Sequence, residues 1–149
     1  MTSGATAKHF AVFNYCKRPI KQAVDGCKDQ DPNASAVYIP NWQAAAADPV
    51  CVSFDVGILS DINEVDKDGN IVGFNISYSQ SEELRNKVPQ CSYGQRTEDY
   101  QMTVVTYCNQ RYEELVELVS DETGFAEVCH PQFVYYTKKA CPIYQVTRF

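Results

Sequence analysis

The sequence predicts an all-β domain, an antiparallel β-sandwich or flattened barrel stapled by disulfides. Three observations predict it. Short stretches rich in β-branched and aromatic residues recur with turn signals between them. No repeat, low-complexity run or linker divides the 149 residues. Seven cysteines are scattered at wide spacing, the pattern of a disulfide framework in an oxidising compartment.

The strand signals run in order along the chain. "HFAVFNYC" (9–16) alternates between Phe10/Val12 and Ala11/Phe13/Tyr15. "VCVSFDVGI" (50–58) is β-branched and aromatic, and "NIVGFNISYS" (70–79) follows a turn signal at Asp68-Gly69. Residues 50–79 therefore read as a hairpin or meander. "YQMTVVTYC" (100–108) places Tyr100, Met102, Val104 and Thr106 on one face. "QFVYYT" (132–137) and "IYQVTRF" (143–149) complete the set. "QRYEELVELVSDE" (110–122) fits two periods. Tyr112, Leu115, Val116 and Val119 form a helical stripe, whereas Val116, Leu118 and Ser120 alternate as in a strand.

Composition narrows the function. Hydrophobic residues make up 44% and charged residues 21%, as in a globular protein. A net charge of −6 opposes a general nucleic-acid or anionic-membrane surface, which needs a basic field. No apolar run is long enough to span a bilayer. "MTSGATAKHF" lacks the apolar h-region of a signal peptide. Together with the cysteines and two N-glycosylation sequons, at Asn33 and Asn75, this suggests the lumenal or extracellular part of a longer chain. Residues 9–149 read as one domain, with 1–8 an N-terminal extension.

Candidate chemical sites are few. No C-x-x-C occurs and the two histidines, His9 and His130, are far apart, so no metal or other cofactor is expected. Cys129-His130 resembles a nucleophile and base, but neighbours on a strand point to opposite faces. No catalytic residue is assigned and no enzyme is expected. "DINEVDKDGN" (61–70) hints at a calcium loop. Counted from Glu64, Gly69 falls at the required sixth position, but Asn75 stands where the bidentate Glu belongs. A solvated β-turn is the better reading. "KRPIK" (17–21) and "TKK" (137–139) read as solvated basic spots, and Trp42 as an anchor in a long loop.

Several stretches together resemble mannose 6-phosphate receptor homology (MRH) domains. "CHPQFVYYTKKACP" (129–142) resembles the family's closing motif, C-x-Y-x-F followed by T-x-x-A-C, with Phe133, Thr137, Ala140 and Cys141 in place. "VSDETGFAEVC" (119–129) and "YQMTVVTYC" resemble the segments leading into the family's preceding cysteines. "FNYCKRPI" (13–20) and "GFNISY" (73–78) resemble its earlier strands. The likeness covers most of 9–142, is densest over 91–142, and is greatest to one repeat of the multi-repeat cation-independent receptor.

The resemblance implies crossed bridges Cys91–Cys129 and Cys108–Cys141, with Cys27–Cys51 as a third. Cys16 is left with a partner upstream or none, and Cys16–Cys27 is the alternative. The family's lectins hold mannose with Gln, Arg, Glu and Tyr, because vicinal hydroxyls need a planar two-donor group and a carboxylate acceptor. Here the Tyr position falls on Pro131 and the Gln position on Val52. The Glu position falls on Asp121, with Glu122 beside it. The Arg position falls on Arg96 or Tyr100, depending on which cysteine anchors the count. Arg96, Asp121 and Glu122 are thus the candidate ligand-binding residues.

The expectation is a non-enzymatic recognition or assembly module of a receptor-like protein, in the secretory pathway, the endolysosomal lumen or outside the cell. Its expected partner is a protein or a neighbouring domain of the same receptor, with no nucleic acid and no membrane insertion. The alternative is a lectin that sorts mannose-type or phosphomannosyl N-glycans.

Overall fold

A computed structural model describes residues 2–5, 10–14, 20, 27, 30–40, 51–111, 114–119 and 124–142. Eleven strands fall among them: β1 Thr2–Ala5, β2 Phe10–Phe13, β3 Ala36–Ile39, β4 Val52–Phe54, β5 Ile58–Val65, β6 Ile71–Tyr78, β7 Cys91–Tyr93, β8 Arg96–Glu98, β9 Met102–Cys108, β10 Glu114–Leu118 and β11 Gln132–Thr137. Two short helices, α1 Glu82–Arg85 and α2 Phe125–Cys129, lie between strands.

The strands form a four-stranded sheet, β1-β2-β3-β4, a five-stranded sheet, β10-β11-β9-β6-β5, and a separate β7-β8 hairpin. The molecule is all-β and disulfide-stapled, with no closed barrel among the described residues. One pairing departs from the antiparallel expectation. β11 inserts between β9 and β10 and runs parallel to β9, which the excursion through β10 and α2 permits. Residues 2–5, within the presumed extension, pair with β2 as an edge strand.

Alternation decides what each strand buries. Ala11 and Phe13 on β2, Tyr38 on β3 and Val52 and Phe54 on β4 face the five-stranded sheet. That sheet answers with Ile76 and Tyr78, Met102 and Val104, and Phe133 and Tyr135. Aromatic rings join the layers edge to face: Phe13 with Tyr135 at 5.6 Å and Tyr38 with Phe133 at 6.0 Å. Each such pair adds about 0.5–1.5 kcal/mol beyond its burial. The Tyr78 hydroxyl donates to the Asn14 carbonyl at 2.8 Å, tying β6 to the end of β2. On the opposite face of the four-stranded sheet, Val12, Val37 and Ile39 pack with Ile20, Ala34 and Cys51. Strands β2, β3 and β4 are therefore buried on both faces.

Six cysteines pair as Cys27–Cys51, Cys91–Cys129 and Cys108–Cys141. Pairing of Cys27 with Cys51 excludes a Cys16–Cys27 bridge; Cys16 itself lies outside the described residues. Three disulfides belong to an oxidising, lumenal or extracellular environment. No helix among the described residues is long and apolar enough to cross a membrane.

The stretch 50–58 is not one strand. It splits into β4 and the start of β5, because the chain passes from one sheet to the other through Asp55–Gly57. The Asp55 N–H donates to the Ser79 carbonyl at 2.9 Å there. At Gly57 a Cβ would stand 2.5 Å from the Ile76 side chain and 2.7 Å from the Tyr78 ring. The two-period segment becomes strand β10, since Val116 and Leu118 pack on the core while Glu117 is exposed. The acidic stretch is only half a β-turn: residues 61–65 belong to β5, and in the turn that follows the Asp66 carboxylate accepts from the N–H groups of Asp68 and Asn70, both at 2.9 Å, with Gly69 at φ 84°. The expected strand 143–149 and Trp42 lie outside the described residues.

Candidate functional site

The corner that carries Arg96 is built by β7, β8 and α2. Tyr93 pairs with Arg96 across a two-residue turn led by Gly94 at φ 63°, a conformation that favours glycine. Strand period then places Arg96 and Glu98 on the same face, where Arg96 Nη2 meets Glu98 Oε2 at 2.5 Å. The Cys91–Cys129 bridge ties this hairpin to the last residue of α2. As a result Phe125, the first residue of α2, lies beneath Arg96, with the guanidinium carbon 3.7 Å from the ring centroid. An exposed stack of this kind contributes about 0.5–1 kcal/mol.

His130 supports the ring from its edge, at 5.2 Å between centroids, and its Nε2 lies 3.1 Å from the Asp99 carbonyl. The Asp99 carboxylate accepts from Gln90 at 2.7 Å and pairs with Arg85 at 3.4 Å. The Gln90 hydrogen bond leads in holding that carboxyl below its ordinary pKa, with Arg85 adding to it. Tyr93 closes the far side of the corner. Its hydroxyl occupies the space where a Cβ on Gly124 would stand, at 2.7 Å.

The sequence candidates separate in space. Arg96 is exposed and held from two sides. Tyr100, the other candidate for the Arg position, is buried, and burial pushes its phenol pKa up. Val52 is fully buried in the core and Pro131 is buried, so neither presents a polar group to a ligand. Asp121 and Glu122 lie outside the described residues. Glu98 and Phe125 were missed. The Arg96-Thr97-Glu98 spacing could have revealed the carboxylate, but the ring contact depends on a long-range disulfide. Cys129 ends a helix rather than lying on a strand, and its thiol is consumed by Cys91, which removes it as a nucleophile. Among the described residues no group of His, Cys, Asp and Glu is placed to hold a metal ion. Asn33 is exposed in a turn, whereas Asn75 lies mid-strand and its side-chain oxygen accepts from the Asn63 amide.

A second surface lies at the far edge of the five-stranded sheet. Every residue of β5 is exposed, and its carboxylates and two of its apolar side chains, Leu59 and Ile62, lie on opposite faces. Leu59 pairs with Ile76 and Ile62 with Phe74, both core-facing partners, so Leu59 and Ile62 share the core face of the sheet. They are nevertheless 54% and 46% exposed. Asp61 pairs with Asn75 and Glu64 with Gly73, on the opposite face, where Tyr107 lies over Gly73 and stacks on Tyr136. The core face of the sheet thus continues one strand beyond what the protein covers.

In comparisons with known proteins, no family model and no curated protein matches the chain.

Proposed function

We propose that this chain is a non-enzymatic recognition or assembly module of the MRH type. It works in the lumen of the secretory pathway or endolysosomal system, or outside the cell, and it binds protein rather than glycan. One observation carries the preference: the apolar strip of Leu59 and Ile62, aligned with the core yet left half-exposed. Burying apolar area of that kind is the main driving force of protein association. A mannose site, by contrast, needs convergent polar groups, and two of its four expected positions are occupied by the buried Val52 and Pro131.

The lectin reading rests on Arg96, an exposed guanidinium fixed by Glu98 and Phe125. An array of high-mannose glycans, with and without phosphomonoester or phosphodiester caps, separates the two. The oxidised domain is expected to give no saturable signal that free mannose competes away. A saturable signal lost in Arg96→Ala would replace the protein-binding reading with the lectin.

A further inference from the structure

Strand β5 is an edge strand whose core face carries Leu59 and Ile62 and whose opposite face carries two carboxylates between Ile58 and Val65, and that combination specifies what can lie beside it. Regular alternation could not produce the sorting. Leu59 and Asp61 are two apart, as are Ile62 and Glu64, and residues two apart on a regular strand share a face. The pairing with β6 breaks register three times, between Leu59 and Asp61, between Ile62 and Glu64 and between Glu64 and Val65. Each irregularity re-aims one side chain. Leu59 and Ile62 are turned to the core face, and Asp61 and Glu64 to the other, where Ile58, opposite Ser77, and Val65, opposite Ile71, flank them. The extra residues, Ser60 and Asn63, are tied down by the side chains of Ser77 and Asn75.

The charge is one-sided. From Asp55 to Asn70 the chain carries Asp55, Asp61, Glu64, Asp66 and Asp68 against the single Lys67. Neither Asp61 nor Glu64 enters an ion pair among the described residues. A second copy of this chain would bring its own Asp61 and Glu64 against these, and like charges across a strand pair oppose association.

We propose that the β5 edge is a strand-addition site for an extended segment of a partner protein in which apolar residues alternate with Lys or Arg. This rests on the protein-recognition reading above. The guest strand's apolar side chains continue the uncovered core face beside Leu59 and Ile62. Its cationic side chains lie beside Asp61 and Glu64, and backbone hydrogen bonds join it to the outer edge of β5.

The test uses the oxidised domain and a fluorescent, end-capped peptide of alternating valine and lysine, matched in length to the 8 residues of β5. The comparison peptides have the same composition in two blocks, and alternating valine and glutamate. The alternating valine–lysine peptide is expected to bind at least about tenfold more tightly than the block peptide, and more weakly as salt is raised. The double variant Asp61→Lys/Glu64→Lys should lose that binding by at least about tenfold and gain binding of the valine–glutamate peptide. Ile62→Lys should also lose it, with near-UV circular dichroism unchanged in both variants. Equal binding of the block peptide, or indifference to charge reversal, overturns the proposal. So does a domain that sediments as a dimer and is made monomeric by Ile62→Lys, since a second copy then occupies the edge. Failure of the peptides beside a blank glycan array overturns strand addition alone. An Arg96-dependent glycan signal overturns the reading beneath it.

Discussion

Asp31 is buried beside β3, and its carboxylate accepts from the Lys87 ammonium at 2.8 Å and from the Asn33 N–H at 2.8 Å. These bonds, the Lys87 bond first, hold its pKa below the ordinary 3.8. A lowered carboxyl pKa contributes stability that is present above 3.8 and is lost as pH falls through the lower folded value. Acid titration of the unfolding midpoint should therefore show a loss of stability below about pH 4 that is smaller in Asp31→Asn. At neutral pH the same variant should be less stable by about 1.5–3 kcal/mol, the worth of hydrogen bonds to a charged group, as read by urea unfolding. Gly57 is a second residue whose identity the packing sets. Gly57→Ala would drive a methyl into Ile76 and Tyr78, and the expected cost is about 1–3 kcal/mol. Its readout is the shift in the denaturation midpoint.

Strands β6, β9 and β11 were legible because they are rich in β-branched and aromatic residues. Strand β5 was not, since "ILSDINEV" carries its register breaks inside the strand and so has no period of two. β3 was also missed. Its four residues follow Asp-Pro-Asn-Ala-Ser, and only pairing with β2 and β4 makes them a strand. The ambiguity of β10 was settled by tertiary partners: Val116 opposite Tyr135 and Leu118 opposite Phe133 outweigh the helix propensity of Glu and Leu. At the candidate site, Arg96 could be placed by counting from a cysteine, whereas its bed on Phe125 needed the Cys91–Cys129 link. The elements also differ in what they contribute. Leu59→Ser and Ile62→Ser should each change folding stability by less than about 0.5 kcal/mol, as at other exposed positions. Phe133→Ala, in the core, should cost about 3–5 kcal/mol. Chemical denaturation of the three variants makes the comparison.

The whole molecule is held by bridges that interleave. Cys91–Cys129 spans 38 residues and Cys108–Cys141 spans 33, and each crosses the other's loop. The first fastens the Arg96 corner, and the second fastens the ends of β9 and β11 where those strands run parallel. A loop of this size is worth about 4 kcal/mol in the chain-entropy account, with interleaved loops giving less than the sum. Cys108→Ser/Cys141→Ser should accordingly lose about 2–5 kcal/mol, measured by thermal or urea unfolding. With the sandwich so braced, Leu59 and Ile62 at the β5 edge are, among the described residues, an apolar surface aligned with the core yet half-exposed, and a partner strand is proposed to complete it. Amide hydrogen exchange of the domain, free and saturated with the alternating valine–lysine peptide, tests that claim most directly. Slowed exchange at amides of Ile58–Val65 and unchanged exchange at Arg96 and Phe125 are the expected result. Unchanged exchange along β5, or protection confined to the Arg96 corner, would contradict it.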